Sequence, residues 1–216
     1  MQQLIDGSVQ PSASSDLVLP DAASGTNSSG REKLRQMMLE NLDLIKSMIS
    51  IQYAPADWKE QQFGWNLDAE IQKAKDEVMQ GDITIRDYHK VVQRLLNSTR
   101  DYHVSVQFTQ TERASLPFTV MGANGRYFIT WINRDKLPAS SFPFNIGDEL
   151  VAFDGKPVAS LVQEIKQQLG GNSPLTDSAL AAISLTRRSA ASAMEVSQGP
   201  VVLTIKPAGS QAAVTQ

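Results

Sequence analysis

His103 is the side chain in this sequence best suited to acid–base chemistry. It lies in "NSTRDYHVSVQF", residues 97–108, where a helical repeat gives way to alternating apolar and polar residues. A neutral imidazole with a pKa of about 6.5 can take a proton from a serine hydroxyl. Ser105 is not that serine, because residues two apart on a strand are ~6–7 Å apart and run parallel. No G-x-S-x-G motif supplies another nucleophile, so His103 is either a base for a nucleophile elsewhere or a structural residue.

Other chemistries are disfavoured by the residues present. The chain has no cysteine, which excludes disulfides, thiol nucleophiles and thiolate metal sites. The second histidine, His89, lies beside the apolar stripe of a predicted helix and is expected to pack there. No H-E-x-x-H motif and no clustering of carboxylates with histidine is visible. We therefore expect no metal and no cofactor.

Composition is that of an ordinary globular protein and argues against two classes of partner. Of 216 residues, 41% are hydrophobic and 20% are charged, and the net charge is −3. No basic stripe recurs on a predicted helix, so we expect no nucleic acid partner. No apolar run approaches the ~20 residues of a membrane span, so we expect no membrane partner. The N-terminus shows neither a basic n-region nor an apolar h-region, so no signal peptide is visible.

The elements that must position His103 fall into two parts. Residues 1–30 are rich in Ser, Ala, Gly, Asp and Asn and predict a disordered leader. Residues 31–100 carry apolar repeats of 3.6 residues, which predict a helical N-terminal domain of about three helices. The repeat then changes to two residues. It predicts strands over 103–108, where His103 starts the strand, and over 116–121, 126–132, 149–153 and 201–206. Helices are predicted over 158–169 and 174–190.

The most informative motif is "NIGDELVAFDGKPV", residues 145–158. Gly147 and Asp148 predict a turn, an apolar strand follows, and Asp154-Gly155 predicts a tight hairpin before a helix. This order resembles the PDZ domain in the strand-permuted form found in bacterial proteases. The resemblance implies an α+β fold, in which the helical bundle precedes a PDZ-like small β-barrel or sandwich over 101–210. A helical insertion is expected at about 170–200.

The resemblance also implies a peptide-binding groove. PDZ domains bind an extended peptide at an open strand edge, beside a helix. Here the groove is expected between strand 116–121 and helix 158–169. Its expected lining is Leu116, Pro117, Phe118, Thr119, Val162 and Ile165, and the alternative interpretation of the same residues is core packing. Two departures stand out: no glycine-rich carboxylate-binding loop precedes the strand, and the insertion makes the link to the last strand unusually long.

Four stretches point to a more specific resemblance. "DYHVSVQF", "LPFTV", "IGDELVAFDG" and "LTRRSAASA" occur in this order. Together they resemble the group of the chlamydial protease-like activity factor, secreted serine endopeptidases related to tail-specific peptidases. The resemblance implies that His103 is the catalytic base. It also implies that the nucleophilic serine and a supporting glutamate come from a later core domain, outside this chain.

We therefore expect the N-terminal helical and PDZ-like region of a secreted serine endopeptidase, inactive by itself. It would supply the catalytic base and a peptide-binding or gating module. The resemblance implies three partners: a protein or peptide substrate, a serine-peptidase core domain and a second copy of the chain. It also implies export to the periplasm or the exterior. Two alternatives stay open: a stand-alone PDZ-like adaptor for peptide tails, and a PDZ-like module that serves only as an interaction surface for its own partner domain.

Overall fold

The structure is a computed structural model that describes residues 28–197 and 199–216. The predicted leader, residues 1–30, lies outside the described residues except for its last three, which begin the first helix. Among the described helices, none combines the length and the hydropathy needed to span a membrane.

The N-terminal part is helical, as the 3.6-residue repeats predict. The described residues form four helices here: α1 (Ser28–Gln52), α2 (Ala56–Phe63), α3 (Leu67–Met79) and α4 (Ile85–Asn97). Asn66 caps α3 by accepting a hydrogen bond from the amide of Ala69 at 3.0 Å. Thr84 and Asp87 form a reciprocal capping box at the start of α4. The short helix α2 is an addition to the expected three, and Gly64 ends it in the left-handed region at φ 62°.

The helical core is built from the apolar stripes of α1, α3 and α4. Its buried members include Leu42, Val78, Val91, Val92 and Leu95. Val104, Val106 and Phe108 also pack against this core, so their alternation with polar neighbours is confirmed. The expected strand over 103–108 is wrong, because this segment runs beside helices whose main-chain groups are already bonded internally. Its alternating side chains reach a helical core without a strand partner.

The C-terminal part consists of two antiparallel sheets and two α-helices among the described residues. Its elements are β1 (Arg113–Ser115), β2 (Phe118–Ala123), β3 (Arg126–Ile132), β4 (Glu149–Phe153), β5 (Lys156–Pro157), α5 (Val158–Gln168), α6 (Pro174–Thr186), β6 (Arg187–Ser189), a 3₁₀ turn (Ala190–Ser192), β7 (Leu203–Lys206) and β8 (Val214–Thr215). Strands pair in the order β2-β3-β4-β7-β8, and β5 pairs with β4. With the helical part, this is the α+β fold that the sequence predicts.

The predicted turns around the β4 motif are confirmed. Asp154 and Gly155 have φ of 50° and 75°, as a two-residue hairpin requires. Asp148 is buried, and its carboxylate accepts hydrogen bonds from the amides of Asn145 and Ala208, both at 2.7 Å. These bonds compensate the carboxylate for lost water and tie the loop before β4 to the segment after β7.

The predicted helix over 174–190 is too long. α6 ends at Thr186, and β6 pairs antiparallel with β1 instead of continuing the helix. The amide of Leu116 donates to the carbonyl of Thr186 at 2.9 Å, and the amide of Ala190 donates to that of Glu112 at 2.9 Å. The exposed edge of β1 supplies partners that a continued helix would leave unused.

Candidate active site

His103 lies in a tight turn just after α4, not at the start of a strand. The amide of Val104 donates to the carbonyl of Asp101 at 3.0 Å and closes the turn. The amide of His103 donates to Asp101 Oδ1 at 2.9 Å, and the ring atom Nδ1 lies 3.0 Å from the same oxygen. The imidazole is 97% exposed. The Asp101 carboxylate therefore holds the Nδ1 side of the imidazole, and the rest of the ring is open to an approaching group.

Asp101 also joins His103 to the helical part. Its Oδ2 accepts a hydrogen bond from the hydroxyl of Tyr53 at 3.1 Å. The bond from the His103 amide is the main cause that lowers the pKa of Asp101. Burial, followed by the bond to Asp101, raises the pKa of Tyr53 to about 12. Asp101 is thus an anion at neutral pH, so in the neutral ring Nδ1 carries the proton and Nε2 keeps the free lone pair.

Tyr102 joins the same turn to the sheet part. Its hydroxyl donates to Asp177 Oδ1 at 2.6 Å and accepts from the amide of Ser173 at 3.2 Å, both at the start of α6. Asp177 is only 2% exposed. Burial first, and then the bond to Asp177, raises the pKa of Tyr102. The two residues before His103 are therefore anchored to different parts of the molecule.

The end of α4 is held closely against the loop after α5. The side-chain amide of Asn97 donates to the carbonyl of Gln168. Gly170 has φ +79°, and a Cβ there would lie 2.2 Å from the carbonyl oxygen of Asn97. Only glycine permits this approach, which fixes the distance between α4 and the loop that leads into α6.

An open cleft of about 470 Å³ adjoins His103. It is lined by Pro55, Trp58, Lys59, Arg100, Asp101, Tyr102, His103, Asn172 and Ser173. Ser173 is the one serine in this lining, and its hydroxyl has no hydrogen bond to the imidazole. No group of three or more carboxylate, histidine or cysteine side chains able to hold a metal occurs in the described part of the chain.

The second histidine is a packing residue, as expected. Its ring stacks on Phe108 with the centroids 3.8 Å apart and the planes 14° apart. Gln110 Nε2 lies 3.3 Å from His89 Nδ1. Burial lowers the pKa of His89, so the neutral ring is favoured.

The expected groove between β2 and α5 is filled by the chain itself. Phe118, Val162 and Ile165 are buried in one cluster, which also contains Ala181 and Leu185 of α6. α6 lies against both β2 and α5, at the place where the sequence predicts the groove.

The remaining three predicted groove residues are also engaged or turned away. Leu116 and Pro117 are half-buried, and the Leu116 amide is taken by Thr186. Thr119 directs its hydroxyl to that of Thr130 at 3.1 Å. The structure thus does not gather the six residues around an open groove, and peptide binding by them stays a prediction.

Comparison with known proteins supports the PDZ-like domain and the fold of the chain as a whole. Residues 112–216 match the PDZ domain family. Three solved structures share the fold with a TM-score of 0.73 over 85% of this chain: mature CPAF at 25% identity, mature CPAF complexed with lactacystin at 26%, and a serine-to-alanine mutant of CPAF at 27%. The chain resembles CPAF, the chlamydial protease-like activity factor. The resemblance predicted from the four sequence stretches is confirmed.

Sequence relatives lie in the same genus as CPAF. A Chlamydia pneumoniae protein is 30% identical over 173 residues, which are 79% of this chain and 27% of that protein. A Chlamydia muridarum protein is 30% identical over 132 residues, 60% of this chain and 21% of the relative. A Chlamydia trachomatis protein is 29% identical over 126 residues, 57% and 20%. The chain spans about a quarter of the length of these relatives and about a third of the CPAF chains.

Sequence reasoning missed Asp101 as the partner of His103. The signal was present in "DYH", because a carboxylate two residues before a histidine can reach its ring when the chain turns between them. The CPAF-like fold and the PDZ domain support a protease-related region.

Proposed function

We propose that this chain is the helical and PDZ region of a serine endopeptidase in which His103 is the general base. The observation that carries the proposal is the Asp101–His103 pair, with 3.0 Å between Oδ1 and Nδ1 and an imidazole that is 97% exposed. A base of this kind needs one nitrogen oriented by an acceptor and the other facing the reacting group. The resemblance to CPAF supplies the reaction class.

In the proposed reaction, a serine hydroxyl approaches Nε2 of His103. The imidazole takes its proton as the serine oxygen attacks the peptide carbonyl, and later returns it to the departing amine. Asp101 stabilises the imidazolium that forms in between. The serine and a supporting glutamate would come from another part of the full-length protein or from a partner chain, as the resemblance implies.

The PDZ domain has a gating role in this proposal. Tyr102 connects the turn of His103 to the start of α6, and α6 in turn lies across the PDZ core. The position of the base therefore depends on how the helical and sheet parts are docked. The filled groove disfavours the stand-alone adaptor, since an adaptor needs an open strand edge for a peptide.

The decisive experiment is His103→Ala in the full-length native protein, assayed on a denatured protein substrate. Removal of the base should lower kcat roughly 10³-fold or more. His89→Gln removes the other histidine and should change kcat less than about threefold. Equal proteolysis by His103→Ala and the parent would contradict the proposal. The isolated chain should not react with a serine-directed fluorophosphonate probe.

Export and dimerisation belong to the same proposal. Secreted or periplasmic location can be tested by fractionating the source cells with an antibody to residues 31–206. Detection only in the cytoplasmic fraction would contradict export. Dimerisation is tested by the mass of the full-length protein in solution.

A further inference from the structure

Two cations adjoin His103 without a carboxylate partner. Lys59 is only 7% exposed, and its Nζ donates to the carbonyl of Arg100 at 2.8 Å. Arg100 is exposed, and its guanidinium lies 5.3 Å from the ring centroid of Phe63. Neither side chain takes part in an ion pair within the described residues. The bond to the Arg100 carbonyl satisfies one donor of the buried ammonium. It leaves both positive charges without a counter-anion, a demand that a carboxylate meets.

The acidic groups near the cleft do not meet that demand. Asp101 is turned toward His103 and Tyr53. Asp177 is buried against Tyr102. Positive potential from Lys59 and Arg100 is thus left facing the cleft, and an incoming carboxylate would be its first direct ionic partner.

Two exposed aromatic rings of α2 adjoin these cations, and one of them, that of Trp58, lines the cleft. Trp58 is 53% exposed and Phe63 is 47% exposed, and they meet edge to face with their centroids 5.5 Å apart. Lys59 Nζ lies 5.3 Å and 5.5 Å from these two ring centroids. Tryptophan and arginine are enriched among the residues that contribute most of the binding free energy at protein interfaces. It offers a flat apolar surface next to a cationic centre.

Arg100 has an unusual backbone conformation. Its φ is +51°, in the left-handed region that residues with a Cβ seldom occupy. The bond from Lys59 to the Arg100 carbonyl holds the residue there. Such conformations persist where the surroundings over-determine them, and they cluster at binding and catalytic sites.

We propose that the cleft beside His103 is a subsite for an acidic side chain of an extended peptide substrate. Arg100 and Lys59 receive the carboxylate, and Trp58 covers the neighbouring apolar surface of the peptide. The inference deepens the proposed function by naming a substrate preference for the same site, and it rests on that function for the word substrate. Binding itself needs no nucleophile, so it can be measured on this chain.

The test is titration of the ¹⁵N-labelled chain with three peptides of eight residues. The first is acetylated and amidated and carries one glutamate, the second carries glutamine instead, and the third is the glutamine peptide with a free carboxy terminus. The chain has three tryptophans. The indole signal of Trp58 should shift, whereas buried Trp65 and sheet residue Trp131 report the unchanged fold and an unrelated exposed surface.

We expect the glutamate peptide to bind at least about tenfold more tightly than the glutamine peptide, and salt to weaken it. Arg100→Gln should remove that tenfold difference, with the Trp65 signal unchanged. Arg113→Gln, an exposed arginine outside the cleft, is the matched control and should stay within about twofold. Equal binding of the first two peptides, or a preference for the free carboxy terminus over glutamate, would overturn the proposal.

The outcomes also separate this inference from the proposed function. No binding by the chain, together with His103-dependent proteolysis by the full-length protein, would overturn the subsite and leave the protease standing. Glutamate-dependent binding without His103-dependent proteolysis would do the reverse.

Discussion

The two concave places that a peptide could occupy have opposite characters. The cleft beside His103 is open and lined by exposed Trp58 and Arg100 and by buried Lys59. The groove between β2 and α5 is closed, because α6 packs its apolar face into it. The resemblance to PDZ domains predicts where a peptide groove lies. The inserted helix α6 determines whether that groove is open to a peptide.

The difference arises from the side chains that each region brings. α6 carries Ala181 and Ala182 at 0% and 1% exposure, so its backbone approaches the sheet closely. By contrast, α2 leaves Trp58 half exposed, and its buried residue is the charged Lys59. The small apolar side chains of α6 thus close one concave place, whereas the exposed ring of Trp58 leaves apolar surface at the other.

The largest expected effect concerns the close approach of Gly170, in the loop after α5, to Asn97 at the end of α4. Gly170→Ala should lower the free energy of unfolding by about 3 kcal/mol or more, since the new Cβ meets backbone at 2.2 Å and φ is +79°. Gly171→Ala, at φ +69° with open space, should cost only about 1 kcal/mol. Urea denaturation measures both. Equal costs would mean that α4 and the loop after α5 do not approach as described.

A second prediction tests whether α6 fills the groove. Leu185→Ala should cost about 2–5 kcal/mol in free energy of unfolding, because the side chain is 2% exposed within the core cluster. Ile183→Ala on the same helix is the control, and at 48% exposure it should cost less than about 1 kcal/mol. If the two variants unfold at the same urea concentration, α6 does not close the groove.

A third prediction concerns the hydrogen bond from Tyr102 to Asp177, which joins the turn of His103 to α6. Tyr102→Phe removes the donor to buried Asp177 and should cost about 1–3 kcal/mol. Tyr127→Phe is the control, since this hydroxyl has no hydrogen bond among the described residues, and it should cost less than about 0.5 kcal/mol. Denaturation curves that coincide for the two variants would show that Tyr102 does not join the turn to α6.

The smallest effect is expected from pH. The pKa of Asp101 is lowered in the folded chain, so its anion favours the fold above the unfolded pKa of about 3.9. That contribution is lost as the pH falls through the lowered value. Asp101→Asn should therefore be less stable than the parent at neutral pH, and the gap should narrow in acid.

Thermal unfolding from about pH 7 to about pH 2 measures this gap. Asp57→Asn, an exposed carboxylate on α2, controls for the loss of one charge. A gap that is constant with pH would show that the Asp101 carboxylate does not hold the turn of His103.

Local signals predicted most elements, and non-local contacts account for the errors. Caps at Asn66 and Thr84, and the Asp154-Gly155 turn, depend on neighbouring residues and were readable. The segment over 104–108 has strand periodicity, but its partner is a helical core. β6 forms because the distant edge of β1 accepts it, which a helical pattern through residue 190 cannot reveal.

The candidate site divides in the same way. His103 was identified through resemblance, and its Asp101 partner was within reach of local reasoning. The cleft was not, because its lining comes from α2, from the turn after α4 and from the loop before α6. Trp58 and Arg100 are 42 positions apart, and nothing in either segment predicts that they meet.

The split anchoring of the "DYH" turn sets a limit on how the molecule can be divided. A fragment ending between α4 and β1 would keep the bond from Tyr53 to Asp101 but leave the Tyr102 hydroxyl in water. A fragment starting there would bury Asp177 without its hydrogen-bond donor. Neither half would preserve the orientation of the imidazole, so the geometry of His103 is a property of the undivided chain.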